Sequence, residues 1–447
     1  MSEGSYTVQE YQQAGFQQLL ERRHENTIWT RYATAALGLW MVAGLFTFPQ
    51  QQTIIMLSDF VSGILLVVFG LLSLQEPRRW APWATCLVGI WLQLAPVLFG
   101  AQMPHGYIND TLIGVLAIAF SVLIPGTPGL IESGPEVPSD WSYNPSSWVQ
   151  RLPVIALSLF AWLITRFLAG YQYGYITSVS DPIFAQGTLS VLSAEISKGF
   201  AAFASMLFTL QMLLACKGGS RRWHTMPWIV ALYGLFVLAF GLLGSFTILI
   251  QPITHGFWCF WCLICCAMML IMTTLAIDEV VATAQLLLQA GKDGKSFWPT
   301  FWHGSAVAGG HVDSRTPQLN APAKTLFSAM VWGVTLPWNL LVTTFIGFWL
   351  MFSPPAVHVI GRVEFTNYFL GNLICLISVL SMAEVARPLR YLNILFGFFI
   401  GVAPWLFHDE NVISNWNNVI SGLLLISCSI SRGKVLQHYG PLDRFIR

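Results

Sequence analysis

The sequence predicts an all-α polytopic membrane protein of about twelve spans, and three observations lead there. The 447 residues are 55% hydrophobic and 10% charged, with a mean hydropathy of +0.61, whereas soluble domains carry about 25% charged residues. The apolar residues gather in uncharged runs of about 20, the length that crosses a bilayer core as a helix. Lys and Arg gather in every second segment between those runs, on one side of the membrane. A net charge of +1 leaves no basic surface for a nucleic-acid partner, so the expected partner is the lipid bilayer.

The elements follow in order. Residues 1–30 are polar and lack the basic start, short apolar core and cleavage site of a signal peptide. They are expected to form a cytoplasmic segment before a retained first helix. Spans are expected at 31–48, 53–74, 80–100, 108–124, 151–173, 198–215, 228–251, 257–277, 326–352, 366–383, 390–407 and 414–430. Nineteen Trp and twelve Tyr suit aromatic belts at the two interfaces. With a cytoplasmic N-terminus, only Lys198 and Arg362 fall in outer segments and Arg166 within a span. The other nineteen of twenty-two Lys and Arg then lie inside. This split predicts that both termini are cytoplasmic, in a bacterial inner or plasma membrane. It also sets Cys259 and Cys262 at the outer end of the eighth span.

An internal repeat organises the first and last four spans. Gly38–Leu45, Gly89–Pro96, Gly347–Pro354 and Gly397–Pro404 align without gaps. Asp59, Asp110, Asn367 and Asn418 follow 13 or 14 residues later, and each precedes a glycine by four: Gly63, Gly114, Gly371 and Gly422. The unit reads as a helical hairpin of about 50 residues. Gly permits close helix approach, Pro ends a helix near the interface, and Asp or Asn is expected to cap the next helix. The pattern resembles the SPW repeat, with Ser353-Pro354 in one copy and Ala403-Pro404-Trp405 in another. Leu45 replaces Pro in the first copy and Phe399 replaces Trp in the fourth. That resemblance implies membrane hairpins and no known chemistry.

The expected layout is a cytoplasmic segment (1–30), repeats (31–124), a linker (125–150), a four-helix domain (151–290), a second linker (291–325), repeats (326–430) and a cytoplasmic tail (431–447). The linkers read as ordinary connections. His303 and His311 have no cysteine or carboxylate cluster to complete a metal site and read as loop histidines. Arg166 is either a functional intramembrane charge or a side chain snorkelling to the interface. Asp278 and Glu279 are expected to mark the inner interface, and Glu195 and Asp181 are outer-loop carboxylates that are solvated or border a site. Cys86, Cys216, Cys375 and Cys428 read as packing residues.

Chemistry concentrates in HGFWCFWCLICCAMML, where Cys259, Cys262, Cys265 and Cys266 hold half of the eight cysteines. Cys259 and Cys262 form a CxxC pair that opens a hydrophobic run. Unpaired N–H groups at a helix start favour a thiolate, and a protonated His255 adds to that. The spacing permits a disulfide. Three competing readings stand beside this: a buried pair that only packs, a Cu(I) site on the helical face of Cys262, Cys266 and Met269, and a small-molecule carrier.

The order of the four middle spans resembles the vitamin K epoxide reductase family. The carrying residues are FTLQMLLAC followed by a basic turn and Trp223, and Gly244-Ser245 some fifteen residues before Cys259. The resemblance implies a thiol–disulfide oxidoreductase coupled to a quinone. Cys262 would face the quinone, and Cys259 would exchange electrons with a small thiol or an outer redox protein. The family's outer-loop cysteine pair is missing from 172–197. Thr188 stands near the place of one cysteine, with Ser193 as the small hydroxyl residue that follows. Phe200 and Cys266 fall where the family has its quinone-contacting Asn and Tyr. The rival expectation is a non-catalytic membrane scaffold or binding protein that retains the fold.

Overall fold

A helix stands at each stretch expected to be a span. The computed structural model describes residues 8–47, 52–74, 80–100, 104–123, 134–185, 187–193, 199–305, 307, 309–357, 361–407 and 411–446. Glu195, Lys198, residues 125–133 and the side chain of His255 lie outside the described residues. The helices are α1 (Val8–Thr47), α2 (Thr53–Leu72), α3 (Ala81–Leu98), α4 (Pro104–Leu123), α5 (Trp148–Gln172), α6 (Gly187–Ser193), α7 (Phe200–Cys216), α8 (Arg222–Thr225), α9 (Pro227–His255), α10 (Phe260–Lys292), α11 (Phe297–His303), α12 (Ala323–Met330), α13 (Trp338–Ala356), α14 (Arg362–Leu380), α15 (Leu392–Leu406), α16 (Val412–Ile430) and α17 (Asp443–Ile446). A 3-10 helix, Glu384–Tyr391, leads into α15. No strand occurs among the described residues, only isolated bridges such as Val137 with His311.

Among the described residues, eight helices are long and apolar enough to cross a membrane: α2, α3, α5, α9, α10, α13, α14 and α15 with its 3-10 lead. The protein is therefore an all-helical polytopic membrane protein. α1, α4, α7 and α16 occupy the other four expected positions. The ninth span needs correction. It was expected over 326–352, but α13 begins at Trp338. Gly333 turns the chain at φ +83, and Pro337 serves as the N-cap. A proline N-terminus suits a helix start, and the residue before it disfavours helix.

The chain divides into two compact units. One comprises Met1–Leu130, Arg166–Thr177 and Gly199–Met206; the other holds the remainder. In the first unit, α1 pairs with α2 and α3 with α4, and the hairpins meet through α2 with α3 and α1 with α4. In the second unit, α13–α16 repeat that arrangement. The repeat glycines make the hairpins. A Cβ on Gly89 would lie 2.8 Å from the Gly114 carbonyl, and one on Gly397 would lie 2.9 Å from that of Gly422. Three residues after each glycine, one helical turn on, sits a core residue. Met41, Leu66, Leu92 and Ala117 fill the first bundle; Leu350, Ile374, Ile400 and Leu425 fill the second. Tight van der Waals contact is the force available to helices in lipid. At Pro354, which has no N–H for the Leu350 carbonyl, the Ser353 hydroxyl donates to that carbonyl instead (3.3 Å).

The repeat Asp and Asn residues are not caps. Gln52, Gly361 and Asn411 cap α2, α14 and α16, and the expected capping residues lie seven or six positions further in. There they pair across hairpins. Asn367 and Asn418 exchange two amide hydrogen bonds, 3.1 and 3.0 Å, and Asp59 meets Asp110 in the other copy. The preceding residues pair too: the Trp40 indole donates to Asn109 (3.0 Å), Trp91 to Ser58 (3.0 Å) and Trp349 to Asn417 (2.7 Å). Phe399, the departure from the motif, has no N–H to complete the fourth bond.

Within the second unit, α14 packs against α9 and α10. The Asn372 amide donates to the Ser245 carbonyl (2.6 Å), and Leu270 packs with Leu376 and Leu380. α10 has 33 residues, about 50 Å of helix against a hydrocarbon core of about 30 Å. Its Lys292 end is enclosed by segments that the sequence marks as linkers. Val137, Trp141, Tyr143, Trp223, Ala282, Leu286, Ala383 and Tyr439 form one buried cluster. Asp278 and Glu279 are buried inside this end. Glu279 forms an ion pair with Arg222 at 2.5 Å and accepts from the Ser146 hydroxyl (2.5 Å). Asp278 accepts from the Tyr143 hydroxyl. The "ordinary" 134–147 linker is thus part of a core.

Candidate functional site

The site forms where the loop before α6 meets the start of α10. Cys259 is the N-cap of α10, in extended conformation at φ −89, ψ 116. This turns its sulfur back over the first helical turn, where the Cys262 N–H donates to Sγ at 3.2 Å. A helix start leaves such N–H groups without intrahelical partners, so the i to i+3 spacing of CxxC meets a structural need and a chemical one together. The Gln251 side chain accepts the Cys259 N–H (3.0 Å).

Asp181 and Thr188 join the pair. One Asp181 oxygen accepts the N–H groups of Ile183 (3.1 Å) and Phe184 (2.7 Å). The other accepts the Thr188 N–H (3.0 Å), the Thr188 hydroxyl (2.5 Å) and the Phe260 N–H (3.3 Å). Asp181 therefore ties its loop to α6 and to the residue after Cys259. Gly187 lies against the Trp258 carbonyl so closely that any Cβ would collide with it. The Trp261 indole donates to the Ser180 carbonyl (2.8 Å).

Electrostatics favour a charged sulfur at Cys259. The hydrogen bond from the Cys262 side chain holds its thiol below the ordinary range against burial, and Thr188 and the Cys262 N–H add to this. Burial works against the Asp181 carboxylate, but its hydrogen bonds from Thr188, Phe184, Ile183 and Phe260 outweigh that and hold its carboxyl below the usual range. The Thr188 hydroxyl has one proton. Donated to Asp181, it leaves a lone pair facing the thiol; donated to Cys259, it stabilises the thiolate.

The two pairs of cysteines differ. Cys259 is buried, Cys262 half-buried, and Cys265 and Cys266 buried deeper along α10. Cys266 forms a buried cluster with Ile248 and Met351, against which Leu263 and Tyr368 pack, and Gly244 sits beside Cys266 and Met269. The Trp258 ring lies tilted against Phe352 (centroids 4.4 Å apart) and edge-to-face with Tyr368 (6.3 Å). The second hairpin bundle thus supplies one wall of the cysteine site. Phe200 opens α7, 39% exposed, and belongs to the first unit. Among the described residues no group of three His, Cys, Asp or Glu converges to hold a metal. Cys216 is exposed rather than packed, while Cys375 and Cys428 are buried. Arg166 donates to the Thr111 hydroxyl (3.2 Å) and lies over the Tyr107 ring.

Asp181 and Thr188 are the site residues that sequence reasoning reached only in part. Their seven-residue spacing is visible, but the contact with Cys259 joins positions more than seventy apart. Residues 28–124 and 337–432 each match the SPW repeat domain. The two hairpin bundles are therefore the regions similar to the SPW repeat domain (the SPW domains), and the second match begins at Pro337, the N-cap of α13. No curated protein matches the chain, and no solved structure does.

Proposed function

We propose that the chain is a membrane thiol–disulfide oxidoreductase of the vitamin K epoxide reductase type, with Cys259 and Cys262 as the reacting dithiol and a quinone as electron acceptor. The observation that carries this reading is the sulfur of Cys259 on the first turn of α10, receiving the Cys262 N–H and flanked by Thr188 and Asp181. In the oxidised state the two sulfurs share a disulfide. An incoming thiolate attacks the Cys259 sulfur and Cys262 leaves as a thiolate that takes up a proton. A second donor thiol then resolves the mixed disulfide, and Cys259 takes its proton. The dithiol passes two electrons and two protons to the quinone, giving a hydroquinone and restoring the Cys259–Cys262 disulfide.

By resemblance, Cys266 and Phe200 stand at the sequence positions of the family's two quinone-contacting residues, and Cys266 is the one on the dithiol's own helix. Cys266 has no strong donor to offer a quinone oxygen. Tyr368, packed against the cluster that holds Cys266 and edge-on to Trp258, carries a hydroxyl on that wall. In this reading the SPW domain supplies the polar contact that α10 lacks. Thiol trapping on the purified full chain tests the reading. Cys262→Ser should accumulate a mixed disulfide on Cys259 with an added small thiol under oxidising conditions, and Cys259→Ser should not.

A second reading has its own observation. Cys259 is fully buried, which suits a non-catalytic scaffold whose cysteines pack. That reading gains if neither thiol can be alkylated in the folded protein and both Ser variants leave thiol chemistry unchanged.

A further inference from the structure

We propose that Asp59 and Asp110 form a proton-binding site inside the first SPW domain, in which a shared proton bonds its two hairpins together. Both residues are buried, at 3% and 0% exposure, one in α2 and one in α4, and their carboxyl groups meet. Carboxylates offer acceptors only, so two of them in contact have no hydrogen bond to make without an added proton. Two adjacent like charges also cannot both persist in an apolar interior. With one proton, the pair becomes a single O–H···O bond, the arrangement of paired aspartates that share a proton.

The second SPW domain is the internal control. Its equivalent positions hold Asn367 and Asn418, whose amides contain their own donors and make two reciprocal bonds. The same junction is therefore built twice, once with fixed donors and once with carboxyls that must bind theirs. A second observation points to the missing ligand. Both Asp110 oxygens, and Oδ1 of Asp59, are buried with no hydrogen-bond partner among the described protein donors. The nearby Asn109 amide does not reach hydrogen-bonding geometry with Asp110, and its oxygen accepts the Trp40 indole.

Among the described residues no cation replaces the proton. On α1, Arg31 lies at the far end of the hairpin, where its carbonyl borders Gly70. On α3 the titratable group is Cys86. On α4, among the described side chains and beside Asp110 itself, it is Tyr107, under Arg166 of α5, and Arg166 donates to Thr111. None of these is among the groups acting on either carboxyl.

Infrared spectroscopy of the lipid-reconstituted full chain tests the site, since a protonated carboxyl C=O stretch is separate from carboxylate bands. The wild-type protein should show such a band at neutral pH, lost in Asp59→Asn/Asp110→Asn. Raising the pH until the band disappears should lower the thermal stability of the wild type and leave that of the double variant unchanged. Asn367→Asp/Asn418→Asp should gain a protonated band in the second domain, a readout that stands even if the first variant does not fold. No band in the wild type, an undiminished band in the Asp→Asn variant, or no gain in the Asn→Asp variant would each overturn the proposal.

Discussion

Asp181 accepts N–H groups from Ile183, Phe184, Thr188 and Phe260 and the hydroxyl of Thr188, so one carboxylate holds the loop to the start of α10. Hydrogen bonds to a charged group contribute about 1.5–3 kcal/mol when dry, and solvent screening at this half-buried residue reduces that to about 1–2 kcal/mol. Asp181→Ala should lose that amount locally, read as faster hydrogen exchange at the Thr188 and Phe260 amides. Because its folded carboxyl sits below the usual carboxylate range, the contribution is present above the pH at which a free carboxyl titrates. It is lost as pH falls through the folded value, so the same amides should lose protection in acid and not at neutral pH. Unchanged exchange in Asp181→Ala would contradict the tie. At Cys259, Thr188→Val removes one donor to the sulfur. The pH profile of Cys259 alkylation should move to higher pH, while Thr188→Ser should keep the wild-type profile.

The hairpins show what an element's sequence discloses. Two glycines in α15 make the point, because only one would aim a Cβ at its partner helix. A Cβ on Gly397 lies 2.8 Å from Ile426 Cγ1 and 2.9 Å from the Gly422 carbonyl, whereas Gly401 has open space around it. Gly397→Ala should cost about 1–3 kcal/mol through overpacking. Gly401→Ala should gain up to about 1 kcal/mol from helix propensity; unfolding of the two variants in the same detergent compares them directly. The glycine register, hairpin length and helical class were legible because they repeat along the chain. The role of Asp59, Asp110, Asn367 and Asn418 was not, since a cap is a local contact and their pairing joins residues about 50 apart. The start of α13 had a local signal in Pro337, masked by the apolar residues before it. The buried 134–147 segment looked like a linker because its Pro and Ser content resembles a loop, and only its distant partners Trp223 and Tyr439 make it core.

Across the molecule, α10 links two kinds of site. Its Cys259 end carries the dithiol, and its Lys292 end carries the buried Arg222–Glu279 pair. Within the second unit, the SPW domain braces this helix through α14. Removing one member of a buried ion pair costs about 3–5 kcal/mol because it strands the other charge. Glu279→Leu should therefore lower the unfolding midpoint far more than Lys292→Leu, an exposed position at the same end, when the two are compared by thermal unfolding. The most direct test of the proposed function is quinone turnover by the reduced, lipid-reconstituted full chain, followed by its absorbance, with the thiols mapped afterwards. The account predicts hydroquinone formed in step with a Cys259–Cys262 disulfide and abolished in Cys259→Ser and in Cys262→Ser. Quinone left unreduced with both thiols intact, or turnover equal in the Ser variants, would contradict it.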